Sequence, residues 1–251
     1  MITGASAGIG AAFARQLAAR GYDLVVVARR VDRLEALAAE LRAEHGTGVS
    51  VLAADLSQPN DVERVAKQIA ALDALELLIN NAGFGARGSF ATDSPERQLA
   101  MIHVHVVASV ALCRAALPGM IARHQGAIIN VASLAAFIPL PGDATYSATK
   151  AYLVSFSEAL RIELKGTGVT VQALCPGFTR TEFHGDVMTP CSPSFLWSSA
   201  DEVVAASLGA LRRGAALCVP GLKNQVIGAL ARAGIIPLVV RHLPRSVWKL
   251  R

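Results

Sequence analysis

Three side chains that can move a proton lie close together in this sequence: Ser133, Tyr146 and Lys150. Ser133 follows an apolar run over residues 127–132 that is typical of a buried strand, and the other two lie in a helical pattern that reaches about Leu164. Residues four apart share one face of a helix, so the phenol and the ammonium lie side by side. Chemistry in an open parallel sheet collects at the carboxyl ends of the strands. These residues are therefore a candidate proton-transfer site, although taken alone a surface Tyr and Lys beside a strand-end Ser is the favoured interpretation.

Strand-like and helix-like segments alternate along the first 220 residues. Apolar runs predict strands near residues 22–28, 49–54, 75–79, 127–132, 169–175 and 215–219, with helices between them. This alternation favours an α/β domain over residues 1–220, with a doubly wound parallel sheet. The long helix over 96–122 is apolar nearly all round, so we expect it to pack against the sheet and a second subunit. We also expect it to kink or end near Pro118.

Charge and cysteine content narrow the functional class. The formal charge of +5 comes from residues 221–251, which hold six basic and no acidic residues, whereas the remainder holds 18 basic and 19 acidic groups. We therefore expect no nucleic-acid partner. The basic, apolar extension 221–251 either packs as an arm on its own or a neighbouring subunit, which we favour, or lies on an anionic membrane. Cysteines 113, 175, 191 and 218 form no metal-binding pattern and are typical of reduced thiols in a cytoplasmic protein.

A glycine-rich turn opens the chain, with Gly4, Gly8 and Gly10 between a short apolar start and an amphipathic helix. Glycines in such a turn allow the backbone to approach a pyrophosphate, and the helix N-terminus attracts its negative charge. An ordinary turn of small residues is about as good an interpretation of this spacing alone. A P-loop is excluded, because no Lys-Ser or Lys-Thr pair follows Gly10.

Five motifs in order resemble those of the short-chain dehydrogenase/reductase family. They are Thr3-Gly-x-x-x-Gly8-x-Gly10, Asn80-Asn-Ala-Gly83, Ser133, Tyr146-x-x-x-Lys150 and Pro176-Gly177. The resemblance covers about residues 1–220. It implies a Rossmann-type sheet of about seven strands in the order 3-2-1-4-5-6-7, and NAD(P)-dependent interconversion of an alcohol and a carbonyl.

The resemblance also implies roles for individual residues. Tyr146 would be the general acid/base, Lys150 would lower the pKa of its phenol and contact the nicotinamide ribose, and Ser133 would bind the substrate oxygen. The implied cofactor-binding residues are Gly4, Ser6, Gly8, Ile9, Gly10, Arg29, Arg30, Asp55, Leu56, Asn81, Gly83, Tyr146, Lys150, Pro176, Gly177, Thr179 and Thr181. Asp55 would contact the adenine and Thr181 the nicotinamide carboxamide.

The end of the second strand favours NADP(H) over NAD(H). An acid at this position accepts from a ribose 2′-hydroxyl and repels a 2′-phosphate. Here Ala28 takes that position and is followed by Arg29 and Arg30, whose guanidinium groups can bind a phosphate through paired hydrogen bonds. The alternative is that both arginines are solvated charges at a helix entry.

The sequence departs from the family pattern at two places. His105 stands where the family has a catalytic asparagine that acts largely through its backbone carbonyl. A histidine could preserve that role, disturb the helix or titrate, and a packed, hydrogen-bonded imidazole is the commoner case; we expect His105→Asn to retain or raise activity. Only Met1 and Ile2 precede the first motif, so the first strand is truncated, and we expect either an upstream start or trimming.

The substrate lid of the family corresponds to residues 178–200. Apolar side chains there and nearby predict an apolar ketone, aldehyde or alcohol as substrate: Phe183, Met188, Phe195, Leu196 and Trp197, with Phe84, Leu134 and Phe137. Ordinary packing explains these residues nearly as well. The alternative to an enzyme is a nucleotide-binding sensor or scaffold of the same fold. We expect a homodimer or homotetramer, built partly on the helix around residues 99–113.

Replacing Arg29 with alanine tests the cofactor preference. We expect the variant to lose much more affinity for NADPH than for NADH, because only NADPH carries the 2′-phosphate. Binding of both cofactors, measured by titration calorimetry, is the readout, and an equal loss for the two would contradict the assignment.

Overall fold

The core of the protein is a parallel sheet of seven strands in the computed structural model, which describes residues 1–85, 88–138, 140–184 and 197–242. The nine described strands are β1 Ile2–Thr3, β2 Leu24–Ala28, β3 Val49–Ala53, β4 Leu77–Asn80, β5 Gly126–Val131, β6 Val169–Leu174, β7 Thr179–Arg180, β8 Ser198–Ser199 and β9 Leu217–Cys218. The large sheet has the order β3-β2-β1-β4-β5-β6-β9, and β7 pairs with β8 separately. Since β9 is the seventh strand of the large sheet along the chain, the predicted order is confirmed.

Helices cover both faces of this sheet. The helices are α1 Gly8–Ala18, α2 Val31–His45, α3 Pro59–Ala70, α4 Pro95–Ile102, α5 Ala108–Ala122, α6 Ala144–Glu163, α7 Ala200–Arg212, α8 Leu222–Arg232 and α9 Ile235–His242. Helices α1, α2 and α7 bury their apolar residues in one core. Helices α3 and α5 and the end of α6 bury theirs in a second core on the opposite face. The three layers form a Rossmann-type, doubly wound fold, as predicted.

The first strand is as short as the sequence predicts, yet it occupies the middle of the sheet. Ile2 pairs with Val26 on one side and with Ile79 on the other. The pairing extends beyond the strand, because the Ile79 N–H donates to the Met1 carbonyl at 2.9 Å. The Met1 amino group donates to the Leu77 carbonyl at 2.7 Å, and its burial lowers its pKa to about 5. The truncated strand therefore keeps ladder bonds on both sides.

The long helix is interrupted at a different place from the one predicted. A π-helical turn over His103–Val107 separates α4 from α5, whereas Pro118 lies inside α5. Pro118 removes the N–H that would bond to the Arg114 carbonyl, and both residues are exposed. The predicted end of the helix near Pro118 was therefore wrong, and a kink there stays a prediction.

The continuous stretch Pro95–Ala122 is long and apolar enough to cross a membrane by length and composition alone. Its buried side packs against α3 and the sheet, which is the behaviour of a core helix. Leu99, Ile102 and Val107 on this stretch are exposed.

The first part of the C-terminal extension packs on the domain. The Asn224 side chain is buried and donates to the Pro220 carbonyl at 2.8 Å. A Cβ atom on Gly177 would come within 2.6 Å of the Asn224 amide oxygen, which shows how closely α8 approaches the end of β6. Residues 243–251 and Cys191 lie outside the described residues, and Cys113, Cys175 and Cys218 are free and buried.

Candidate active site

The carboxyl ends of the central strands meet at one edge of the sheet and bring the predicted motifs together. The glycine turn follows β1, Asn81 follows β4, Ser133 follows β5 and Pro176 follows β6. These strands are hydrogen-bonded neighbours in the order β1-β4-β5-β6. The loops therefore adjoin along that edge, where parallel α/β sheets bind ligands.

Ser133, Tyr146 and Lys150 form one cluster. The Ser133 hydroxyl is hydrogen-bonded to the Tyr146 phenol, and its oxygen accepts from the Ala135 N–H at 3.1 Å. Lys150 is buried one helical turn beyond Tyr146, and its Nζ lies 5.7 Å from the centre of the tyrosine ring. The ammonium donates to the Val131 carbonyl at 2.8 Å, which ties α6 to the end of β5. The proton-transfer site predicted from the sequence is thus assembled, with the ammonium fixed below the phenol.

Burial moves the pKa values of the two titrating groups in opposite directions. It raises the pKa of Tyr146 to about 12, and the hydrogen bond from Ser133 opposes this shift. It lowers the pKa of Lys150 to about 8, because the charged form loses hydration. The expected lowering of the tyrosine pKa by Lys150 is not found here, because desolvation of the phenol is the largest influence and only the Ser133 hydrogen bond opposes it. In this state Tyr146 holds its proton at neutral pH and is an acid.

His105 links the strand-end loop to the catalytic helix. The Phe84 N–H donates to His105 Nε2 at 3.1 Å, so this nitrogen is unprotonated and Nδ1 carries the hydrogen. Nδ1 lies 2.8 Å from Thr149 Oγ1, and that hydroxyl donates to the Tyr146 carbonyl at 2.8 Å. The donor directions therefore run from Phe84 through His105 and Thr149 to the backbone of Tyr146.

Through these hydrogen bonds the imidazole connects the loop after β4 with the catalytic helix. Burial and the nearby Lys150 charge lower the pKa of His105 well below its ordinary value, so the ring is neutral. Gly83 makes room for the ring, because a Cβ atom there would lie 2.7 Å from Nε2. Sequence reasoning identified His105 but missed Thr149, whose position one residue before Lys150 was the available signal.

The glycine turn has the geometry that a pyrophosphate needs. Gly4 and Gly8 have φ values of 65° and 55°, which favour glycine. A Cβ atom on Gly10 would come within 2.3 Å of the Gly4 carbonyl oxygen. Helix α1 then begins at Gly8 with no capping side chain and no acid in its first turn. The residues present therefore fit a bound phosphate group at this helix N-terminus.

Asn81 fastens this turn to the sheet. Its side-chain amide donates to the Thr3 carbonyl at 2.9 Å and to the Gly4 carbonyl at 3.2 Å. The Thr3 hydroxyl in turn accepts from the backbone N–H groups of Asn81 and Ala82 at 2.9 and 3.0 Å. Asn81 thus holds the strand end against the turn, and the cofactor contact that the resemblance implies for it stays a prediction.

Two arginines border the turn at the end of β2. The Arg29 side chain is mostly exposed and lies 3.9 Å from Asp55. Arg30 contacts the Ser6 hydroxyl oxygen through Nε and Nη2, at 3.2 and 3.1 Å. The Asp55 carboxylate also accepts from the Ser57 N–H at 3.0 Å, which supports the turn-forming role, and the adenine contact stays a prediction. Leu56 is buried behind this loop, and Ile9, in the first turn of α1, is partly buried against the core.

The segment after β6 closes over the turn. The Pro176 carbonyl accepts from the Leu134 N–H at 2.9 Å, and the buried Thr179 hydroxyl donates to the Gly177 carbonyl at 3.1 Å. A Cβ atom on Gly8 would come within 3.0 Å of the Thr181 methyl group, so Thr181 lies directly over the start of α1. This is the side of the turn at which the resemblance places the nicotinamide.

Only some of the predicted apolar lining residues lie beside Tyr146. The Phe183 ring centre is 5.8 Å from that of Tyr146, and Phe84 is 5.9 Å from His105. Leu134 lies instead against Gly228 of α8, and Phe137 lies 5.8 Å from the guanidinium of Arg232. Trp197 packs on Phe178, with the two ring centres 5.4 Å apart. Met188, Phe195 and Leu196 lie outside the described residues.

The His105 linkage predicts the effect of shortening this side chain. An asparagine is too short to reach both Phe84 and Thr149, so His105→Asn leaves a buried donor unpaired at a cost of about 1–3 kcal/mol. We expect lower thermal stability and lower kcat, contrary to the expectation from sequence alone. Thr149→Val removes the next bond and should produce a similar fall in kcat with KM little changed. Full activity in both variants would contradict the linkage.

Comparison with known proteins gives a consistent result. The sequence matches the family described as short chain dehydrogenase over residues 1–191. It is 32% identical over 241 residues to a very-long-chain 3-oxoacyl-CoA reductase of Anas platyrhynchos, covering 93% of this chain and 72% of that protein.

Solved structures agree. A short-chain dehydrogenase from Sphingobium yanoikuyae in complex with NADPH is 36% identical, with a TM-score of 0.85 over 98% of this chain and 96% of that one. A short chain dehydrogenase/reductase from Burkholderia phymatum in complex with NAD is 26% identical, with a TM-score of 0.82 over 95% and 93% of the two chains. The family match covers most of this chain, and the motif residues are assembled at one edge of the sheet. This chain is therefore an oxidoreductase that belongs to the short-chain dehydrogenase/reductase family.

Proposed function

We propose that this protein is an NADP(H)-dependent oxidoreductase that interconverts an apolar carbonyl compound and its alcohol. The observation that carries the proposal is the cluster of Ser133, Tyr146 and Lys150 beside a glycine turn able to receive a pyrophosphate. An intact cluster of this kind supports an enzyme over a nucleotide-binding sensor.

The protein's residues have separate tasks in the reductive direction. Tyr146 is protonated at neutral pH and gives its proton to the substrate oxygen as the carbonyl is reduced. The Ser133 hydroxyl donates to the same oxygen and stabilises the negative charge that develops there. Lys150 keeps a positive charge near the phenol after proton loss, which stabilises the phenolate. When bound, the nicotinamide cofactor supplies the hydride.

The cofactor would be held by residues already placed along the sheet edge. The glycine turn and the start of α1 receive the pyrophosphate, Asp55 lies at the adenine end, and Thr181 lies at the nicotinamide end. The preference for NADP(H) is supported by two arginines at the end of β2, where a 2′-phosphate would need cations. Arg29 lies beside Asp55, and Arg30 lies beside Ser6. The NADPH bound to the relative from Sphingobium yanoikuyae is consistent with it.

The substrate class is inferred from the side chains around Tyr146. Phe183 covers the tyrosine ring, and Phe84 lies on the far side of His105. These rings favour an apolar substituent on the carbonyl carbon. The relative from Anas platyrhynchos is named as a reductase of very-long-chain 3-oxoacyl-CoA, which also carries a ketone on an apolar chain.

Replacing Tyr146 with phenylalanine tests this function. With a panel of apolar ketones and aldehydes, we expect NADPH oxidation to fall by roughly 10²–10⁴-fold, because the proton donor is lost. NADPH affinity should change little, which separates the loss of chemistry from a loss of binding. Tyr152→Phe is the matched control, since this tyrosine lies on the same helix, half-exposed, and stacks on Phe156. NADPH binding without turnover on any carbonyl would favour the sensor.

The pH profile of the same reaction follows from the two pKa values. Tyr146 remains a proton donor up to about pH 12, whereas Lys150 loses its proton as pH rises through about 8. Reduction should therefore be nearly constant below pH 8 and decline above it. A reductive rate that rises above pH 8 would contradict these roles.

We also propose that the protein assembles as a homo-oligomer through the exposed apolar residues of the long helix, Leu99, Ile102 and Val107. Light scattering of Val107→Glu should give a smaller mass than that of the wild type, because a charge would be buried in the contact. Leu222→Glu on α8 is a control for added charge at an exposed apolar site. A wild-type monomer would contradict the proposal.

A further inference from the structure

Three consecutive residues connect the glycine turn, where the cofactor pyrophosphate is proposed to bind, with the catalytic tyrosine. We call Thr181–Phe183 the strap. Thr181 packs over Gly8, and Phe183 packs against Tyr146. The side chain between them, Glu182, points to neither of these partners. Instead it reaches Arg30 and Arg33 at the start of helix α2.

Glu182 binds two arginines at once. Its Oε2 lies 2.9 Å from Arg30 Nη1, and its Oε1 accepts a hydrogen bond from Arg33 Nη1. The two arginines lower the pKa of the Glu182 carboxyl, so it is an anion at neutral pH. Arg30 also contacts the hydroxyl oxygen of Ser6 in the glycine turn. The carboxylate thus occupies Arg33 together with Arg30, which is one of the two arginines on which the proposed NADP(H) preference depends.

We propose that Glu182 is a specificity-determining residue, an internal anion that competes with the cofactor 2′-phosphate for Arg30 and Arg33. The inference rests on the proposed NADP(H) preference. A phosphate carries more charge and more acceptor oxygens than a carboxylate, so it displaces Glu182 from the arginines. That displacement breaks the ion pairs between the strap and the two arginines, while Thr181 and Phe183 keep their contacts. A cofactor without the 2′-phosphate leaves the ion pairs in place.

The size of the effect follows from exposure. The Arg30, Arg33 and Glu182 side chains are each about half exposed, and ion pairs of this kind contribute at most about one kcal/mol. Removing the carboxylate should therefore tighten the binding of a 2′-phosphate by about three- to fivefold, and should leave ligands without that phosphate unaffected.

Calorimetric titration with adenosine 2′,5′-bisphosphate and with 5′-AMP tests the proposal without any turnover. In Glu182→Gln we expect about three- to fivefold tighter binding of the bisphosphate and unchanged binding of 5′-AMP. Arg30→Ala should weaken the bisphosphate and remove most of the gain from Glu182→Gln when the two are combined. Glu40→Gln is the matched control, since Glu40 forms an exposed ion pair with Arg15 and its loss changes the net charge equally.

The outcomes separate this inference from the proposed function. If the wild type binds the bisphosphate tightly and Arg30→Ala weakens it, but Glu182→Gln changes nothing or weakens it too, the competition is refuted while the NADP(H) preference stands. A gain of equal size in Glu40→Gln would reduce the effect to net charge and also refute it. If the wild type binds the bisphosphate no better than 5′-AMP, the NADP(H) preference fails, and this inference fails with it.

Discussion

The structure depends on satisfying the backbone of a central strand that is only two residues long. A buried strand in the middle of a parallel sheet must pair on both sides, because an unpaired peptide group there costs as much as a lost hydrogen bond. β1 achieves this with Ile2 paired to both neighbours, with the Met1 carbonyl bonded to Ile79, and with Ala5 bonded to Val27 at 3.2 Å. The strand therefore directs the glycine turn towards the edge where the other motifs lie.

Side chains complete what so short a strand leaves open. The Thr3 hydroxyl accepts from the Asn81 backbone N–H, and the Asn81 side-chain amide donates to the Thr3 carbonyl, so the turn is held by polar contacts as well as by the ladder. A second polar chain begins on β4, where the Asn80 amide donates to Asn130 at 2.8 Å. It continues from Asn130 to Ser157 on α6 at 2.9 Å. Because every one of these groups is buried, the chain fixes where the catalytic helix sits on the sheet.

Three sets of contacts also fix the end of helix α6 that carries Tyr146 and Lys150. Lys150 bonds to the end of β5, and His105 reaches Tyr146 through Thr149. The strap lies over the tyrosine from above through Phe183. The same burial that fixes the helix raises the pKa of the phenol and lowers that of the ammonium. Positioning and acid strength thus have one physical origin, the removal of water from this end of α6.

The sequence by itself determined the alternation of strands and helices, the motifs at the strand ends and the residues of the proton-transfer cluster, whereas the order of the strands in the sheet was implied by the family resemblance. It could do so because strand and helix periodicity is local, and because the carboxyl ends of parallel strands must meet at one edge. The sequence led us to predict a kink or an end of the long helix near Pro118, because nothing local in the sequence marks the π turn that contains His105. Only the tertiary structure decided the tautomer of His105 and the sign of the Tyr146 pKa shift. It also placed Glu182 on Arg30 and Arg33. Each of these depends on groups far apart in the chain, which only the packed fold brings together.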